Sequence, residues 1–416
     1  MQKKNIQSGW NVVILCVCLF WVSVSAQASS VPDHITLTWM EDPQTTQTIT
    51  WQTDNSVDAG QVEYMEALSN TMLLGHVVTV PGKVSILSTN LGEMVIHTAT
   101  LINLKPGTRY LYRLGHGLNW SIMHTFVTAP ANTAKFEFFV FGDSQSISYD
   151  TWQATLYYAY QSNPNAAFII NMGDLVDVGQ DYANWDKWHT AAAGVIDTIP
   201  IVPVTGNHET YTPEGEFSMP VLFTGQFKLP ANGPSALQGQ VYSFTYGNVH
   251  FSVLDSQSGE EARFVPSMLE IQRDWLARDL QLTDARWKIV LVHRPPYNNK
   301  ENNDNNNIRD AFVPLFDQYH VDVVFTAHDH VYARTYPLNH GEVVADPAKG
   351  TIYVATGRSG SKTYDNTLAN EWDEFFYNPL DQPNYISVEV DENCLLLKAF
   401  QQDGTIIDAW GINKAI

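Results

Sequence analysis

From residue 31 to about 130, apolar and polar positions alternate with a period of two, in short runs such as Thr36-Leu37-Thr38-Trp39 and Thr48-Ile49-Thr50-Trp51. Alternation over four to eight residues predicts half-buried strands. Polar turns such as Thr53-Asp54-Asn55-Ser56 separate them. This stretch reads as an all-β sandwich of about seven strands. The segment Thr128 to Ala134 is small, polar and Pro-containing, a linker composition. From residue 135 the pattern changes to continuous apolar runs over 136–141, 167–172, 199–204, 287–292 and 321–325. Runs of this kind predict strands buried on both faces. Helical spacing over Ile271 to Leu282 lies among them, so residues 135–416 predict an α/β domain with its sheets covered by helices. Three closing strands are predicted over 385–390, 395–400 and 406–410.

The residues at the end of each apolar run carry the chemistry. The runs end in Gly142-Asp143-Ser144-Gln145, Gly173-Asp174-Leu175-Val176-Asp177, Gly206-Asn207-His208-Glu209, His293-Arg294 and His328-Asp329-His330. The carboxyl ends of such strands are where ligands bind in open α/β sheets. The spacings from Asp143 to Asp174 and from Asp174 to Asn207 each fit one β-α-β unit. A glycine before each acid allows a sharp turn there. Oxygen and imidazole donors without thiolate suit Mn, Fe or Zn. A pair of such ions clamps an in-line displacement at phosphorus.

The order GDS, GDLVD, GNHE, VLVH and AHDH resembles the signature of calcineurin-like metallophosphoesterases over residues 135–416. Val241 to Phe251, Gln272 to Leu276, His293 to Tyr297 and the preceding β-domain resemble purple acid phosphatases. The resemblance implies a four-layer αββα catalytic fold and hydrolysis of phosphate monoesters by a hydroxide bridging two metal ions. It implies that Asp143 and His330 hold the first ion, that Asp174 bridges, and that Asn207, His293 and His328 hold the second. His208 would stabilise the transition state or protonate the leaving group. A phosphodiesterase or nucleotidase on the same residues, and a non-catalytic surface protein that keeps the scaffold, are the competing readings. Separately, Leu104-Lys105-Pro106-Gly107-Thr108-Arg109-Tyr110 resembles the tyrosine corner of fibronectin type III domains.

Two positions depart from the family pattern. Many superfamily members have His two residues after the first Asp, where Gln145 stands. Purple acid phosphatases have a ligating Tyr three residues after the second Asp, where Asp177 stands. Asp177 is either structural or, like Gln145, a direct ligand. Without that Tyr, no purple charge-transfer band is expected. Arg294 is a candidate for phosphate oxygens or for a surface ion pair, and Tyr297 for the pocket lining. His250 reads as a buried structural residue or one facing the site, His189 as a core residue, and Gly357 to Lys362 as a plain loop or a substrate loop.

Composition adds limits. The chain has 416 residues, 44% hydrophobic and 16% charged, with a formal charge of −21. Such an acidic chain is a poor partner for nucleic acid or anionic membranes; a small phosphate ester is the partner that the resemblance implies. Residues 1–28 combine Lys3 and Lys4, an apolar run from Val12 to Val24, and Ala26-Gln27-Ala28. This predicts a cleaved signal peptide and an extracytoplasmic protein. The apolar run is shorter than the roughly 20 residues a membrane anchor needs.

Overall fold

The computed structural model describes residues 29–67, 76–131, 135–301 and 305–414. The expected signal segment 1–28 lies outside the described residues. Among them, no helix is long and apolar enough to cross a membrane.

The first part contains only strands. Asp33–Thr38, Gln47–Thr53, Gly92–Leu101 and Lys83–Thr89 form one antiparallel sheet. Val78–Pro81, Gln61–Glu66, Arg109–His116, Asn119–Trp120 and His124–Val127 form the other. Their facing side chains, among them Leu37, Ile49, Trp51, Tyr112 and Phe126, make one apolar core. Tyr110 Oη accepts a hydrogen bond from Lys105 N at 2.8 Å, the closure expected of a tyrosine corner.

The second part is a two-sheet sandwich clad in helices. One sheet runs in the order Ile201–Pro203, Ile169–Asn171, Lys135–Phe141, Asn384–Asp391, Cys394–Gln401, Ile406–Asn413. Its first three strands are parallel and the rest antiparallel. The other sheet runs Tyr242–Tyr246, Val249–Leu254, Trp287–Val292, Val323–Thr326, Ile352–Thr356, Tyr332–Thr335, Asp373–Tyr377. The central strand Lys135–Phe141 shows why its run is continuous. Phe138 packs inward on Phe251 of the facing sheet, while Phe141 packs outward on Trp152 of helix Asp150–Ser162. Helices Met268–Leu282 and Asn306–Tyr319 cover the opposite face, with Leu276, Phe312 and Phe316 against Val290, Val292 and Val324. The order of layers is helix, sheet, sheet, helix.

The two parts are joined by apolar packing and by hydrogen bonds. Trp39 packs on Phe168, Phe244 and Tyr246. Leu37 N donates to Ile196 O at 2.9 Å, and Tyr112 Oη to Asp197 O at 2.7 Å. The β-domain thus braces the segment that leads into strand Ile201–Pro203.

Candidate metal centre

Five strands of the sandwich end on one rim, and the turns beyond them hold their side chains in conformations most residues avoid. Asp143, Asp174, His328 and His330 all have positive φ, at 34°, 50°, 68° and 57°. Such strain persists where surrounding structure over-determines it, and it clusters at functional sites. Glycine makes the approach possible. A Cβ on Gly206 would overlap Asp174 Oδ1 and N, and one on Gly142 would overlap Gly357 O.

These turns bring two groups of ligand atoms together, each within 4.8 Å: Asp174 with His293 and His328, and Asp143 with Asp174 and His330. Asp174 is common to both. His293 Nε2 lies 3.3 Å from Asp174 Oδ2, and His330 Nε2 lies 3.4 Å from Asp143 Oδ1. Backbone carbonyls fix the imidazole tautomers. His293 Nδ1 lies 2.8 Å from Met172 O, and His330 Nδ1 lies 2.8 Å from Lys362 O. A carbonyl only accepts, so each Nδ1 carries the proton and each Nε2 presents a lone pair to the centre.

Two divalent cations fit these residues. His293 Nε2 and Asn207 Oδ1 are buried without a hydrogen-bond partner, although buried polar atoms are rarely left so. Asn207 Nδ2 donates to Tyr211 Oη at 2.8 Å, which turns its oxygen inward. The charges fit as well. Burial works against a charged His293, yet Asp174 outweighs it and lifts the pKa to about 9. Burial likewise opposes ionised Asp174, but His293 and His208 hold its carboxyl well below the usual range. Burial, then His293 and Arg294, pushes His328 well below its ordinary value, which keeps it neutral. A cation there would satisfy all three.

Glu209 supports this arrangement. Its Oε2 accepts from Asp174 N at 2.9 Å and Gly206 N at 2.7 Å, and its Oε1 from Leu175 N at 2.8 Å and Val176 N at 3.3 Å. The side chain thus ties the Asp174 turn to the Asn207 turn. Burial, then Asp174, pushes its carboxyl up to about 8, against the four N–H donors, which favour the ionised form.

Gln145 stands inside the centre, with Nε2 3.2 Å from both Asp174 Oδ2 and His330 Nε2. Asp177 does not join either group. Its carboxylate is nearly half exposed at 46%, and its backbone oxygen lies 2.6 Å from His208 Nδ1. That contact places the His208 proton on Nδ1 and aims the Nε2 lone pair toward the centre, 4.0 Å from Asp174 Oδ2.

Two sequence expectations need correction. Tyr297 does not line the site. Its ring is packed 4.6 Å from Tyr353 and 5.6 Å from Trp372, with the Arg309 guanidinium over its face, because two prolines turn it into the core beneath helix Asn306–Tyr319. The segment Gly357 to Lys362 is not a plain loop. Lys362 Nζ lies 3.1 Å from His208 Nε2 and 3.2 Å from Gln145 Oε1. Tyr364 packs on His330 with ring centroids 4.5 Å apart. Arg294 forms an ion pair with the largely buried Glu260 at 2.6 Å. His250 bonds Asp279 at 2.8 Å on the strand Val249–Leu254, as a structural residue.

Sequence and structure comparisons agree with this geometry. Residues 32–128 match the purple acid phosphatase N-terminal domain, and residues 136–332 match the calcineurin-like phosphoesterase domain. The chain is 29% identical over 293 residues to purple acid phosphatase 1 of Ipomoea batatas, covering 65% of this chain and 60% of that protein. It is 29% identical over 303 residues to the purple acid phosphatase of Glycine max, covering 69% and 62%. The matches therefore span about 60% of the length of these curated relatives. Its fold is similar to that of purple acid phosphatase PPD1 from yellow lupin (Lupinus luteus) seeds, with a TM-score of 0.76 at 20% identity over 92% of this chain and 74% of that one.

Proposed function

Because this chain belongs to the calcineurin-like metallophosphoesterases, in their purple acid phosphatase-like branch, we propose that it is a metal-dependent, extracytoplasmic phosphatase that hydrolyses phosphate monoesters. The observation that carries this reading is the pair of ligand groups sharing Asp174. Asp143 and His330 would hold one ion with Asp174, and Asn207, His293 and His328 would hold the other with it. When bound, the two ions supply Lewis acidity toward the phosphoryl oxygens and lower the pKa of water.

The chain's own residues do the rest. Met172 O and Lys362 O orient two ligand imidazoles through their Nδ1–H groups. Asp177 O does the same for His208, so that in the imidazolium form its Nε2–H would face the transferred phosphoryl group or the leaving oxygen. Glu209 holds the Asp174 and Asn207 turns in register. The ionised Asp174 offers a buried carboxylate to both ions, and a bound cation would take the place of the proton that His293 carries beside it. The apolar run and cleavage pattern of residues 1–28 support export.

The test is hydrolysis of phenyl phosphate against diphenyl phosphate by metal-stripped protein reloaded in turn with Mn, Fe, Zn and Mg. Metal-dependent turnover favouring the monoester supports the reading. Preference for the diester would replace it with a phosphodiesterase. No turnover with any metal, despite two bound ions, would replace it with a non-catalytic protein.

A further inference from the structure

The acidic balance of the chain makes any lysine at the rim of the metal centre conspicuous, and two stand there. Lys362 Nζ reaches His208 Nε2 and Gln145 Oε1, and its only carboxylate neighbour among the described residues is the half-exposed Asp177 at 3.8 Å. Lys300 Nζ sits 3.6 Å from the ring centroid of Tyr364, and Lys362 Nζ 5.8 Å from the same ring. Among the described residues, Lys300 Nζ forms no ion pair.

The loops carrying the two lysines are fastened to each other. Glu301 N donates to Asn366 O at 2.9 Å, and Leu368 N to Asn299 O at 3.0 Å. Asp329, between the ligands His328 and His330, accepts from Asn299 N at 2.6 Å and Lys300 N at 3.3 Å. The Lys300 loop is therefore built onto the metal-ligand turn itself. A cation held over an aromatic face is partly desolvated and pre-positioned, and it gains most from an anion that arrives with a ligand.

We propose that Lys300 and Lys362, set around the ring of Tyr364, form a second anion subsite beside the metal ligands. On this proposal, the site selects phosphate monoesters whose leaving group carries a further anionic group, a carboxylate or a second phosphate. The inference rests on the phosphatase reading, since the first phosphate is taken to bind at the metal centre. A single phosphate leaves at least one of the two ammonium groups without a counter-charge. A substrate with a second anion pairs both, at a place where the only protein carboxylate near either ammonium among the described residues is the half-exposed Asp177, 3.8 Å from Lys362 Nζ.

The test measures binding by calorimetry to the metal-loaded full chain. The probes share a two-carbon frame: ethylphosphonate, 3-phosphonopropionate and 1,2-ethylenediphosphonate. Wild type is expected to bind at least one of the two doubly anionic probes tenfold or more tighter than ethylphosphonate, and the better probe identifies the second group. Lys300→Met and Lys362→Met should each cut that ratio at least fivefold, and Lys300→Arg should retain it. Equal affinity for all three probes in wild type, or a ratio unchanged in both Met variants, would overturn the proposal. Should Lys362→Met fail to fold or load metal, Lys300→Met decides alone, because its ammonium touches no metal-ligand candidate. Loss of phenyl phosphate turnover in wild type sinks the phosphatase reading, and the binding ratio still decides this one.

Discussion

Replacing Glu209 with Gln changes one oxygen to an amide nitrogen in the carboxylate that joins the Asp174 and Asn207 turns. The four N–H donors around it are held at 2.7, 2.9, 2.8 and 3.3 Å. The amide oxygen will keep the tighter pair, Gly206 N and Asp174 N. The new NH2 then faces Leu175 N and Val176 N, donor against donor. Above pH 8, where Glu209 is ionised, a hydrogen bond to its charged carboxylate contributes about 1.5–3 kcal/mol, and a long one less, so the loss of one good and one long bond predicts about 2–4 kcal/mol. That energy falls on the turn holding Asp174 at φ 50°, a conformation that already costs about 1–3 kcal/mol. At 1.36 kcal/mol per tenfold, hydrogen exchange in the peptide covering residues 173–179 should accelerate by about 30- to 1000-fold in metal-free protein. Deuterium uptake followed by mass spectrometry reads this directly. Exchange within threefold of wild type would refute the role given to Glu209.

Gly206→Ala should lower the affinity for both metals at least tenfold, measured by competition with a chelator, since its Cβ would displace the shared Asp174. Asp177→Asn should keep both metals and lower kcat/KM less than threefold, because the backbone oxygen at 2.6 Å holds His208 Nδ1 more closely than the carboxylate at 3.5 Å. In metal-free protein His293 is raised from 6.5 to about 9. Its contribution to stability is full below pH 6.5 and disappears as pH rises through 9, a fall of about 3 kcal/mol at 1.36 kcal/mol per unit. Thermal scans should show Tm falling across that window, and bound metal should flatten the dependence by taking the proton's place. With Asp177 where the family has its ligating Tyr, iron-loaded protein should show no strong absorption band in the green-yellow region.

The candidate ligands were legible because strands buried on both faces write themselves as unbroken apolar runs, and each run here ends in a turn carrying one candidate or more. The flanks of those runs read less well. The run 199–204 predicts six strand residues, yet only Ile201–Pro203 pair as strand, since buried apolar residues next to a turn look like strand without hydrogen bonding as one. Lys362 and Tyr364 left no periodic trace. They come after the strand Ile352–Thr356 in an irregular segment, and their place beside His208 and His330 depends on contacts from distant loops. Tyr297 failed in the opposite sense. It sits four residues after a ligand, but proximity in sequence says nothing about which way a side chain turns after two prolines.

Everything proposed for the site depends on one carboxylate, Asp174, serving two metal ions in a working phosphatase. The deciding measurement is metal content per chain together with phenyl phosphate turnover in wild type and Asp174→Ala, after stripping and reloading with Mn or Zn. Wild type should hold two ions and show metal-dependent turnover. The variant should hold fewer than one ion tightly and turn over at least a thousandfold more slowly, about 4 kcal/mol of lost transition-state stabilisation. Two ions retained with activity in Asp174→Ala would overturn the shared-carboxylate assignment.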